Sequence, residues 1–162
     1  MKKGLWIILA LTVALTGCGQ KKTDLTQTDA ANILPNVDYV AQGMEMLREK
    51  KIPEAIQSFN YAVRQDPKNP EKYLFVSDVY TRMKYYQGAI DVLRAGTAAA
   101  PQNGDLFFRL SLTYYLRDEA GDLANAEAAV GQCLQIFLEQ KNKDKFELAH
   151  ALYQDIKKKQ IK

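Results

Sequence analysis

Across residues 36–103 the apolar and polar positions repeat with a 34-residue period. Laid over each other, the two copies match Tyr39 to Tyr73, Met46 to Tyr80, Ala55 to Ala89, Phe59 to Leu93, Ala62 to Gly96 and Pro67 to Pro101. A fixed period of this size marks an architecture built from one repeated supersecondary unit. Within each copy the apolar residues recur at three- and four-residue spacings, as helices packed on one face require. Helices are therefore expected over 37–50 and 53–65, then over 71–83 and 85–99. Pro53 and Pro70 stand at helix starts, where a missing N–H costs little. Asp66-Pro67 and Ala100-Pro101 stop the second helices, because the residue before proline is pushed out of the α region.

Residues 104–140 continue the pattern in a looser form. Phe107, Leu110, Ser111 and Tyr114 take the aromatic, apolar, small and tyrosine places. About three extra residues lengthen the turn around Asp118, Glu119 and Asp122, after which Ala126, Val130 and Cys133 resume the register. Leu138 falls where proline stood, so this helix should run on to about Gln140. Residues 143–159 make a last amphipathic helix with Phe146, Ala149, Leu152, Tyr153 and Ile156 on one stripe. A stack of this kind needs an end piece with a polar outer face, and Lys141, Lys143, Lys145, Lys157, Lys158 and Lys159 supply it. The same lysines offer two other readings: a basic patch for anionic lipid heads, or cations that suit the last turn of a helix.

These residues resemble the tetratricopeptide repeat, whose pattern runs from an early aromatic through Gly-x-x-Tyr to Ala, Phe, Ala and Pro. The first copy has Gly43, Ala55, Phe59, Ala62 and Pro67 in those places; the second has Tyr73, Tyr80, Ala89 and Pro101, with Ser77 and Gly96 as small substitutes. The resemblance implies an all-α, right-handed helical solenoid of about three helix pairs plus a C-terminal capping helix, with repeats at 36–69, 70–103 and 104–140. It also implies a scaffold for binding rather than a reaction. In this family the first helix of each pair lines a groove, through places one, five and eight after the early aromatic. Here those are Val40, Met44 and Leu47, then Leu74, Asp78 and Thr81, then Phe108, Leu112 and Tyr115. Relatives that clamp a terminal carboxylate use Lys, Asn and Arg there, so this apolar set points away from that ligand. A face rimmed by Arg48, Arg82, Glu71 and Asp105 suits an amphipathic helix or an extended apolar segment. The alternative is that the last helix or the chain's own tether fills it, since large exposed apolar patches are rare in monomers.

The chain opens differently. Residues 1–17 read as an export signal, with Lys2 and Lys3 ahead of an apolar run too short to span a membrane comfortably, which takes about 20 residues. The run ends in Leu15-Thr16-Gly17-Cys18, which resembles the lipobox of bacterial lipoproteins. That resemblance implies a diacylglycerol on the Cys18 sulfur and an anchor in the lipid bilayer. Gly19 after the cysteine implies the outer membrane, facing the periplasm, if the cell has two membranes; otherwise the outer face of the cell membrane. Residues 18–35 are polar and Thr-rich without helical periodicity, and read as a flexible tether. Such a tether averages roughly 23 Å end to end. Its last three residues, Ile33-Leu34-Pro35, either fold back on the first helices or merely stiffen the lead-in.

Charge narrows the function classes. The formal net charge is +3, and two of those charges, Lys2 and Lys3, lie in the segment expected to be removed. That is far from the footprint of a nucleic-acid binder. The two cysteines, Cys18 and Cys133, are far apart and show no metal-ligand spacing. His150 is the only histidine, expected as a surface or cap-packing residue. Asp118, Glu119 and Asp122 lack the full calcium-loop pattern and read as a solvated turn. Cys133 stands where the repeat needs a small buried residue and is expected to be an inert thiol. No Gly-rich phosphate loop or nucleophile motif is present, so the sequence points to no enzyme, cofactor or metal. The expected role is a membrane-anchored adaptor in a bacterial envelope complex, holding a protein partner in the groove. The alternative is an accessory subunit of an envelope enzyme, such as a cell-wall enzyme, with catalysis in the partner.

Overall fold

A computed structural model describes residues 33–161 of the chain; the expected export signal and Cys18 lie outside them. Seven helices follow one another: α1 Tyr39–Arg48, α2 Ile52–Gln65, α3 Pro70–Arg82, α4 Tyr86–Ala99, α5 Gly104–Arg117, α6 Asp122–Glu139 and α7 Lys143–Gln160. No strand occurs among the described residues. They pair as α1 with α2, α3 with α4 and α5 with α6, and α7 packs along α6. The chain is an all-α, tetratricopeptide-like helical solenoid.

Helix ends are set by local hydrogen bonds. α1 begins at Tyr39 rather than at 37, because the Asp38 carboxylate accepts the Ala41 N–H at 3.0 Å and caps the first turn. At its far end the Lys51 and Lys50 N–H groups donate back to the Met46 and Leu47 carbonyls, with Lys50 in the left-handed region at φ 62°. That pair of bonds is a Schellman ending. It recurs after α3 at Lys84 and after α6 at Lys141, so three lysines occupy a conformation that favours glycine. The second helices stop otherwise: Asp66 and Ala100, each before proline, leave the helical region, with φ near −139° and −134°. α6 has no such stop and runs for 18 residues against 14 in α2 and α4.

Packing follows the repeat. Phe59, Tyr80, Leu93, Leu106, Val130 and Ile156 are essentially fully buried along one continuous core, each such burial stabilising by roughly 1.5–3 kcal/mol. The small places let helices close on one another. A Cβ on Gly43 would lie 2.6 Å from the Phe59 ring, and the buried Ser111 hydroxyl donates to the Ala126 carbonyl at 2.7 Å. Between pairs, the Tyr80 hydroxyl reaches back to the Ile56 carbonyl at 3.1 Å. Ahead of α1, the Leu34 N–H donates to the Tyr39 hydroxyl, and the Gln65 amide reaches the carbonyls of Leu34, Pro35 and Val37. The attachment of this segment is therefore polar, and the Leu34 side chain stays 59% exposed. No helix among the described residues is long and apolar enough to cross a membrane.

The last helix takes the place of a first helix in a fourth pair. Its start bonds to the start of α5 through Lys145 and Asp105 at 2.7 Å, and its end bonds beyond the end of α5 through Lys159 and Asp118 at 2.8 Å. α7 thus runs alongside α5 in the same direction. α7 departs from the other first helices at one place. Gly43, Ser77 and Ser111 mark the close approach of each first helix to its second, and the equivalent place in α7 holds His150, which is exposed and stacked between Phe146 and Tyr153.

Candidate functional site

The nine groove residues expected from sequence sit on three helices: Val40, Met44 and Leu47 on α1, Leu74, Asp78 and Thr81 on α3, and Phe108, Leu112 and Tyr115 on α5. Each is half-buried; none is sealed in the core and none stands free. Spacings of four and three residues put each trio on one stripe of its helix. Met44, Leu47, Leu74, Phe108, Leu112 and Tyr115 rest partly on the core beneath. Their outer surfaces remain available, and replacing one by alanine removes some packing as well as surface.

Two contacts join neighbouring stripes. Arg109 on α5 reaches Asp78 on α3 at 3.2 Å, so the one acid among the nine is already paired. On the other side the Lys159 ammonium lies 4.7 Å from the centre of the Tyr115 ring, a cation–π contact that brings the end of α7 against the groove. Two clefts lie away from these stripes. One of about 350 Å³ is bordered by residues 100–105 and Gln140, and one of about 30 Å³ lies beside Tyr80 and Tyr85. The face of the first helices is an open surface rather than a pocket.

The rim departs from the expected picture residue by residue. Arg48 pairs with Glu45 at 2.7 Å, and Asp105 with Lys145. Arg82 and Glu71 are exposed and have no partner among the described residues. The lysines of α7 are largely spent on the fold: Lys145, Lys157 and Lys159 bond Asp105, Glu127 and Asp118 across helices. Lys141, Lys143 and Lys158 remain exposed, the last two paired only within α7.

The acidic turn is corrected as well. It is not simply solvated: Asp122 is fully buried and receives two bonds from the Arg117 guanidinium, at 2.6 and 2.8 Å, plus the Glu119 N–H. The Arg117 bond is the main reason its carboxyl sits below the usual carboxylate range. Arg117 also donates to Gln87, tying the long turn to α4. Among the described residues no group of three His, Cys, Asp or Glu could hold a metal. Cys133 is buried, and burial pushes its thiol up to about 12.

Other residues on this face were missed in the sequence. Phe75, Leu116 and Leu148 are large apolar side chains, 40%, 43% and 58% exposed. Leu116 continues the stripe of Phe108 and Leu112 by another turn. Phe75 and Leu148 stand two places after the early aromatics Tyr73 and Phe146, as Arg109 does after Phe107. They share the place of Arg109 in the repeat, and the Phe75 ring lies 6.5 Å from the ring of Phe59 on α2. On α7 the groove places fall to Glu147, Ala151 and Gln154, all exposed. A signal for this was available: Asn69, Asn103 and Asn142 each precede the aromatic by four residues, and each caps its helix.

No protein-family model and no curated protein matches the chain. Solved structures do. The TPR2B domain of yeast Sti1, in complex with pHsp70, is similar over 75% of this chain and 94% of that one, at 13% identity and a TM-score of 0.59. PcrH in complex with the chaperone binding region of PopD is similar over 75% of this chain and 90% of that one, at 15% identity and a TM-score of 0.59. The Yersinia enterocolitica type III secretion translocator chaperone SycD is similar over 76% of this chain and 84% of that one, at 16% identity and a TM-score of 0.59. At these identities the likeness is one of fold.

Proposed function

We propose that this protein is a non-enzymatic adaptor that holds a segment of a partner protein against its first helices while a lipid on Cys18 anchors it in a bacterial envelope. The observation that carries the binding role is the apolar face itself. Leu74, Phe108 and Leu112 lie half-buried and open to one side, and Phe75, Leu116 and Leu148 extend them with exposed apolar surface. Where such exposed apolar side chains gather on one face, they mark interaction sites. Two of the similar folds are seen with a bound partner, pHsp70 for Sti1 and the chaperone binding region of PopD for PcrH, which supports the same use here. The anchor rests on the sequence Leu15-Thr16-Gly17-Cys18 at the end of the apolar run. Two acyl chains hold a protein stably where one does not.

The experiment is co-purification from detergent-solubilised membranes. Phe108→Ala or Leu74→Asp should lose the partner while the helical spectrum stays unchanged, because truncating a desolvated anchor commonly costs about 2 kcal/mol or more. Retention of the partner by both folded variants would remove the groove from the account. Separately, Cys18→Ala should leave an unprocessed precursor that takes up no labelled fatty acid; normal maturation of that variant would end the lipoprotein reading.

A further inference from the structure

Most cations bordering the face of the first helices are neutralised by a neighbouring acid: Arg48 by Glu45, Arg109 by Asp78, Lys145 by Asp105 and Lys159 by Asp118. Three are not. Lys50, Arg82 and Lys84 have no ion pair or side-chain hydrogen bond among the described residues, and all three are exposed. They share one edge of the face, where α1 and α3 end. Lys50 and Lys84 are three residues beyond the groove residues Leu47 and Thr81, and Arg82 ends the stripe that runs through Leu74 and Asp78. At the opposite end of α3, where its stripe begins, the exposed acid Glu71 stands close in sequence to Lys68 and Lys72.

The geometry points to one kind of occupant: a protein segment with an apolar stripe for the groove floor and carboxylates along the flank that meets Lys50, Arg82 and Lys84. This rests on the groove being the binding face and adds the chemistry of what binds there. An apolar stripe alone would fit in either direction across the helices. The edge with three unpaired cations and no acid among them favours one direction, since a segment laid the other way would set its carboxylates at an edge where Glu71 offsets the lysines. Charges placed on a rim act mainly on association rate and orientation, and the effect falls with salt as the screening length shortens.

The test uses the full chain carried in phosphatidylcholine vesicles and two fluorescent amphipathic peptides. Both have the same Leu and Phe stripe; one bears Glu along one flank and the other Lys. Anisotropy should show the Glu peptide binding on the order of 10-fold tighter at low salt, with the difference shrinking as salt rises. The triple variant Lys50→Glu, Arg82→Glu, Lys84→Glu should reverse the preference with its helical spectrum intact. Phe108→Ala should weaken both peptides alike. Equal binding of the two peptides, still lost in Phe108→Ala, would overturn the edge and leave the groove reading standing. Binding of neither would overturn both. If the peptides bind alike and the triple variant instead loses an affinity for phosphatidylglycerol vesicles, the cations serve a lipid surface and the proposal fails.

Discussion

Asp122 and Cys133 are the two residues whose chemistry depends most on where the chain puts them. Removing one partner from a buried ion pair leaves the other charged and unsatisfied, so Asp122→Asn should cost about 3 kcal/mol in denaturant unfolding. A loss under 1 kcal/mol would mean that Glu119, 3.4 Å from the Arg117 guanidinium, replaces it. The thiol of Cys133 ordinarily titrates near 9.0 and in the fold near 12. Between those values the unfolded chain holds fewer protons than the folded one, so stability must fall as pH rises through that window. The Tyr80 hydroxyl, raised chiefly by burial, contributes in the same sense. Cys133→Ala should flatten the slope between pH 9 and about 12 whatever it does to stability at neutral pH; an unchanged slope would put the thiol in contact with water. The smallness of the Cys133 site is readable from the repeat alone, whereas the pairing of Asp122 is not. Its partner lies five residues away across an irregular turn, and no spacing rule predicts a buried contact there.

At the scale of the element, the helices are legible because each is held by short-range signals that periodicity and proline expose. The endings are less so. The left-handed backbone at Lys50, Lys84 and Lys141 carries no glycine to announce it. Lys141→Gly should therefore stabilise the chain by about 1 kcal/mol, since glycine adopts that region without strain; thermal unfolding of the variant measures it, and a lower midpoint would contradict the cap geometry. The last helix was expected as a polar end piece, and its place beside α5 was hidden because His150 stands where the repeat has a small residue. Its docking is apolar first. Ile156 is fully buried, while Lys159 keeps a third of its side-chain surface in water. Ile156→Ala should cost about 3 kcal/mol and Lys159→Gln less than 1 kcal/mol. The reverse order in unfolding experiments would make α7 an electrostatically held strap.

Over the whole molecule, the solenoid is a stack in which each pair buries its face against its neighbours, and Phe75, Leu116 and Leu148 keep apolar surface exposed on the first helices, as Ile52 and Leu138 do on the second. The half-burial of the nine positions on the first helices was readable because they ride on the repeat register; the exposure of Phe75, Leu116 and Leu148 was not, because they lie off those three places. One measurement bears directly on whether that face binds. A photo-crosslinking side chain placed at Leu74, Phe108 or Leu148 should capture the partner in membranes. The same group at Ala98 or Gln132, exposed on second helices α4 and α6, should capture nothing. Capture from Ala98 or Gln132 with silence from the first helices would contradict the account and move the binding surface to the outside of the stack.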